Sequence, residues 1–163
     1  IRTDLATSVP TVRRWRLASL PEYLLPDQVQ KVLDACDRRT AVGRRDYAIL
    51  LMLARLGLRA NEIATLTLDD VDWQTGQISV QAKGRQRAQL PLPHEVGSAV
   101  VAYLQNGRPR SNSRRLFLRD LAPHSGFASS GGISMIAATA RKRAGRMTRV
   151  PSRAASVPRA RTP

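Results

Sequence analysis

The sequence predicts a mainly α-helical chain that carries one small antiparallel β-sheet. Three observations point there. Several segments repeat apolar residues at helical spacing, one stretch in the middle alternates like a hairpin, and the core has to be aliphatic. Of the 163 residues, 42% are hydrophobic but only 4% aromatic. A chain of this length can bury a real core in one domain.

The first helix is signalled by Pro26-Asp27, a proline and an acid in the opening turn, both favourable there. Val29, Val32, Leu33 and Cys36 then fall on one helical face. Arg38-Arg39 follow, where the helix dipole favours cations. A second helix is expected from about Arg44 to Leu56. Its stretch Tyr47–Ala54 is apolar on all sides, which marks a central, buried helix. Gly57 is a natural terminator. A short helix from about Ala60 to Leu66 comes next.

The period then changes. Leu68, Val71 and Trp73 lead into a turn at Gln74-Thr75-Gly76-Gln77. Ile78–Ala82 alternates as a strand. Lys83-Gly84-Arg85-Gln86-Arg87 forms the hairpin tip. Ala88–Leu92 returns as the partner strand, and Pro91 makes it an edge. A long helix is expected over His94–Gln105, with Val96, Val100, Tyr103 and Leu104 on one face. Gly107–Ser113 is a basic loop and Leu116-Phe117-Leu118 a short extended piece. A last helix is expected from Gly132 to Ala144, with Ile133, Ile136, Ala137 and Ala140 inward and Gly145 as its stop.

Domain organisation follows from the same pass. Residues 1–21 lack helical periodicity and contain Pro10, Pro21 and the run Arg13-Arg14-Trp15-Arg16. They read as a linker, a solvated basic arm or a backbone-contacting one. Residues 22–145 read as the folded unit. Residues 146–163 hold five Arg, three Pro and three Ala without apolar periodicity, so a basic disordered tail is expected.

Charge narrows the partners. The formal net charge is +15, and eight of the cations lie in residues 141–163, where no acid occurs. Such an imbalance is the footprint of a polyanion partner. The longest apolar run, eight residues from Tyr47, is far short of the roughly 20 needed to span a bilayer. No signal-peptide core opens the chain. The single Cys36 reads as a small buried hydrophobe. One cysteine and two scattered histidines make neither a disulfide nor a zinc site. No cofactor, metal or small-molecule substrate is expected, and a reducing cytoplasm is the default location.

Two segments could carry chemistry. In Gly57-Leu58-Arg59-Ala60-Asn61-Glu62-Ile63, Glu62 lies three residues after Arg59 and can hold its guanidinium. So held, the guanidinium offers a planar fork to phosphate oxygens. The same spacing also suits an ordinary surface ion pair. Lys83, before Gly84 at a hairpin tip, could reach a neighbouring cleft and donate a proton to a departing oxygen. It also suits an ordinary charged turn. Arg85 and Arg87 on the same tip face nucleic-acid backbone or water.

The order of these pieces is more specific than any one of them. An apolar helix is followed by Gly57–Ile63, by Asp70-Val71-Asp72, by a strand and by Lys83-Gly84-Arg85. Then come a strand ending Leu90-Pro91-Leu92 and a helix. This series resembles the catalytic domain of tyrosine recombinases, the phage integrase family, over about residues 20–145. The resemblance implies a mostly helical domain with a small sheet that acts on double-stranded DNA, with partner subunits in a tetramer. It implies that Arg59 binds the scissile phosphate, Glu62 supports the site and Lys83 protonates the leaving 5′ oxygen. It implies a nucleophilic tyrosine, forming a 3′-phosphotyrosyl bond, and a His-x-x-Arg box further on. Neither His94 nor His124 begins such a box, and Tyr23, Tyr47 and Tyr103 all precede the nucleophile's place. The expectation is therefore an incomplete chain, inactive alone, whose missing clamp domain preceded residue 1 and whose tail after Gly145 is frame-shifted. The alternative is a non-catalytic basic protein that binds nucleic acid.

Overall fold

The computed structural model describes residues 24–81 and 87–147. They form five helices and a three-stranded sheet: α1 (Pro26–Asp34), α2 (Ala41–Arg55), α3 (Ala60–Thr65), β1 (Val71–Asp72), β2 (Gln77–Gln81), β3 (Arg87–Pro91), α4 (His94–Asn106) and α5 (Ser130–Met147). A 3-10 turn, Leu68–Asp70, joins α3 to β1. The predicted class, mainly helical with one small antiparallel sheet, is the class observed.

α1 opens at Pro26 as the sequence predicts, and Val32 and Leu33 are its buried positions. The helix ends at Asp34, so Cys36 lies beyond it rather than on its face. The thiol is half-buried, with the Val32 carbonyl 3.9 Å from its sulfur. Burial pushes it up to about 11, helped by the nearby Asp46 carboxylate.

α2 begins at Ala41, three residues before the predicted start. The signal is Thr40, whose Oγ1 accepts from the Gly43 N–H at 3.0 Å and caps the helix. Gly43 is required by contact. A Cβ there would lie 1.9 Å from the Asp37 carbonyl oxygen, so the α1–α2 connection backs directly onto the helix. Ala48–Met52 are buried, and each large aliphatic side chain so placed contributes roughly 1.5–3 kcal/mol. Leu53 is only partly buried and Ala54 is exposed, so the apolar stretch is not covered on every side. These two line a groove of about 550 Å³ with Leu24, Val29 and Ala137. Gly57 ends the segment with φ 63°, as a terminating glycine should.

The sheet has the order β1-β2-β3, all antiparallel, with Ile78 opposite Val71 and Leu90, and Gln81 opposite Arg87. β3 is an edge, as Pro91 requires. Ile78 and Val80 face the core, while Trp73 stays half exposed in the turn before β2. α2 packs along α4, and α3 packs on α5. Tyr103 of α4 stacks on Phe117 at 5.5 Å, and its hydroxyl oxygen accepts from the Leu118 N–H at 3.1 Å.

Two expectations fail at the far end of the chain. α5 starts at Ser130 and does not stop at Gly145 but continues to Met147. Gly145 has no positive φ, and a glycine without the left-handed turn does not terminate a helix. The disorder expected beyond it falls on 148–163, and the linker on 1–21; both lie outside the described residues. Among the described residues no helix is long and apolar enough to cross a membrane.

Candidate phosphate-binding site

Arg59 is the residue immediately before α3, in extended conformation, with Gly57 and the buried Leu58 turning the chain out of α2. Its backbone N–H donates to Glu62 Oε2 at 2.8 Å, and its Nη1 donates to Glu62 Oε1 at 2.9 Å. One carboxylate thus closes the first turn of α3 and holds the guanidinium. The Glu62 side chain is 13% exposed, whereas the Arg59 side chain is 74% exposed. Among the described residues Glu62 is the one side-chain partner of Arg59. The remaining guanidinium donors face solvent and are available to an anion.

The hairpin is tied to the same region by Asp70. Its Oδ2 accepts from the Thr67 N–H at 2.8 Å and from the Thr67 hydroxyl at 2.7 Å. Its Oδ1 lies 3.4 Å from Arg87 Nη2 at the start of β3. Asp70 therefore pins the tip end of β3, where Arg87 pairs with Gln81, to the turn that leaves α3. Arg87 is mostly exposed but already paired, so of the predicted DNA-contacting arginines it has an internal duty as well. Lys83 and Arg85 belong to 82–86, outside the described residues.

A second tie comes from the segment after α4. The Leu68 N–H donates to the Arg114 carbonyl and the Leu116 N–H to the Leu66 carbonyl, each at 2.9 Å, around a Thr67–Arg115 bridge. The Arg114 side chain pairs with Asp69, through Nε to Oδ2 at 2.7 Å, and the arginine holds that carboxyl below its usual range. The Arg115 guanidinium donates to the Thr65 carbonyl at the end of α3.

Beneath this lies a buried arginine. Arg45 is 8% exposed; its Nε and Nη2 donate to Asp46 Oδ1 at 2.9 and 2.8 Å, and its Nη1 to the Leu118 carbonyl at 3.1 Å. Its guanidinium also sits 5.5 Å from the Phe127 ring centre. Burial pushes Asp46 above its ordinary value, although Arg45 pulls it down. Arg45 and Arg115 were not among the residues singled out from sequence, and Asp70 was read only as part of the Asp70-Val71-Asp72 segment. An arginine beside an acid and an apolar run reads as a surface pair, and the later Leu116–Leu118 segment supplies its third bond and its cover.

The predicted histidines take modest places. His94 begins α4 and is exposed, and His124 approaches the Arg119 carbonyl at 3.4 Å. The described residues contain no cluster of acids, histidines or cysteines that could hold a metal. Tyr47 has Arg38 over its ring at 4.8 Å.

Comparison with known proteins matches residues 22–153 to the Phage integrase family. The match runs past Gly145, where the resemblance was expected to end. A Sinorhizobium fredii protein named as an integrase/recombinase, y4rA, is 49% identical over 145 residues, 89% of this chain and 35% of its own length. The tyrosine recombinase XerC of Oceanobacillus iheyensis is 33% identical over 111 residues, 64% of this chain and 36% of that protein. The chain thus spans about a third of the curated relatives it matches. Among solved structures, the XerA recombinase superposes with a TM-score of 0.66 at 24% identity, over 89% of this chain and 48% of that one. A lambda integrase tetramer bound to a Holliday junction superposes with a TM-score of 0.58 at 15% identity, over 89% of this chain and 41% of that one. Both likenesses concern the fold.

Proposed function

Since the chain belongs to the phage integrase family, we propose that it forms the phosphate-gripping part of a tyrosine recombinase that cuts and rejoins double-stranded DNA at specific sites. The observation that carries this reading is the Arg59–Glu62 pair. A guanidinium is fixed by a mostly buried carboxylate at one edge and open to solvent at the other. Such a group neutralises a phosphate whose charge grows as a fifth bond forms to phosphorus. Lys83, in the connection between β2 and β3, next to the strand end that Arg87 joins to the same turn through Asp70, is the proton donor to the 5′ oxygen that leaves. Arg85 and Arg87 steady the DNA backbone. Partners are double-stranded DNA and further recombinase subunits, in the cytoplasm where the DNA lies.

The chain does not complete the reaction alone. Of its three tyrosines, Tyr103 is buried with its hydroxyl engaged and Tyr47 is packed under Arg38. Tyr23 falls outside the described residues. Without a nucleophile no phosphotyrosyl bond forms, whatever charge is stabilised. The test is a nicked suicide DNA substrate incubated with this chain. Salt-sensitive binding without a covalent adduct is the expected result. An adduct would overturn the missing nucleophile, and binding indifferent to Arg59→Ala would overturn the site. If Arg59→Ala and Lys83→Ala change affinity no more than any other lost cation, the chain is a basic binder without a phosphate site.

A further inference from the structure

Arg115 is fifty positions from Thr65 in sequence, yet its guanidinium donates to the Thr65 carbonyl, the last residue of α3. α3 has six residues, too short to hold itself together in water. Its front is closed by Glu62 on Arg59, and its back is closed by Arg115. A cation is favoured there because the carbonyl ends of a helix are negative. The arm that delivers this cation is built in. The carbonyl of Arg115 accepts from Arg108 Nη2 at 3.0 Å. Its aliphatic stem lies over Gly126, where a Cβ would come within 2.4 Å of the Arg115 Cγ. The neighbouring Leu116–Leu118 segment is buried and fixed by Arg45 and Tyr103.

We propose that Arg115 is a positioning residue: it clamps the C-terminal end of α3 and thereby holds the Arg59–Glu62 pair in its phosphate-ready geometry. The consequence for DNA rests on the phosphate-binding reading of Arg59, whereas the clamp itself does not. Arg115 has no contact with the phosphate in this account.

Amide hydrogen exchange tests the clamp directly. The reporters are the Arg59 N–H on Glu62, the Ile63 N–H on the Arg59 carbonyl and the Leu66 N–H on the Glu62 carbonyl. In Arg115→Met these three should exchange at least about tenfold faster, while the Gly97 N–H on the Pro93 carbonyl in α4 keeps its rate. Arg115→Lys, which keeps stem and charge, should restore most of the protection. Gly126→Ala displaces the stem without altering charge and should speed the same three amides; it is the deciding variant if Arg115→Met does not fold. Unchanged rates at the α3 reporters, or equal acceleration at Gly97, would overturn the proposal. A second arm measures affinity for a duplex of about 20 base pairs. Arg59→Ala should weaken binding several-fold and reduce the salt slope by about 1. Adding Arg115→Met to Arg59→Ala should cost little more, because the residue being positioned is gone. A full additive loss would mean that Arg115 touches DNA itself and would overturn the positioning role. An indifferent Arg59→Ala would sink the phosphate reading and leave the exchange result to judge the clamp.

Discussion

Arg45 and Arg59 are both arginines held by a nearby carboxylate, yet they do opposite things. Arg45 enters the first turns of α2, is 8% exposed, and spends three guanidinium nitrogens on Asp46 and the Leu118 carbonyl. Arg59 stands at the front of α3 and spends one guanidinium nitrogen on Glu62. The first has all three guanidinium nitrogens engaged and knits the core to the segment after α4. The second is aimed but unspent. The difference teaches that the pairing of an arginine with an acid says little by itself. What decides its use is how many donors remain and whether water, or a ligand replacing water, can reach them.

That contrast can be broken in four ways. Arg45→Met strands a buried carboxylate and frees the Leu118 carbonyl, so it should cost about 3 kcal/mol, read as a lower urea midpoint. A loss below about 1 kcal/mol would mean that the inner arginine is not a structural tie. Glu62→Ala removes the acceptor for the Arg59 N–H and should cost about 1 kcal/mol while loosening the guanidinium. Its effect on DNA affinity should approach that of Arg59→Ala, measured by fluorescence anisotropy. Arg59→Ala itself should move stability by less than about 0.5 kcal/mol, because the group is largely in water. A large loss of stability there would make Arg59 a second Arg45. The smallest effect is a slope with pH. Asp46 is raised by burial more than Arg45 lowers it, so the folded state binds its proton more tightly than the unfolded chain. Its contribution is fully present below the ordinary value of 3.8 and is lost as pH rises through the folded value. Urea melts across the acid range should show this slope in the native chain and lack it in Asp46→Asn.

Much of the fold could be read from local rules. Pro26, Gly57 and the alternation around Ile78 each announce an element through backbone chemistry that needs no tertiary context. Arg59 and Glu62 could be read because three residues of helix bring them together. The ties that Arg45 and Arg115 make to the Leu118 and Thr65 carbonyls could not, because those carbonyls are far away in the chain and carry no side-chain signature. Gly145 misled for a related reason. Glycine permits the left-handed turn that ends a helix but does not compel it, and packing of Ala140 and Ala144 carries α5 onward. Thr40 shows the converse: a capping residue was in view, and the expected start at Arg44 passed over it.

Asp70 acts as a rivet through two layers. One oxygen grips Thr67 on the helical side, and the other grips Arg87 on the sheet side. A hairpin fastened in this way cannot swing about its base without first pulling on the turn behind α3. The sheet and the helix that presents Arg59 are therefore one mechanical part. A hairpin transplanted here from a relative would fit only if it brought a donor to the place of Arg87, since the carboxylate waiting at Asp70 belongs to both sides of the joint.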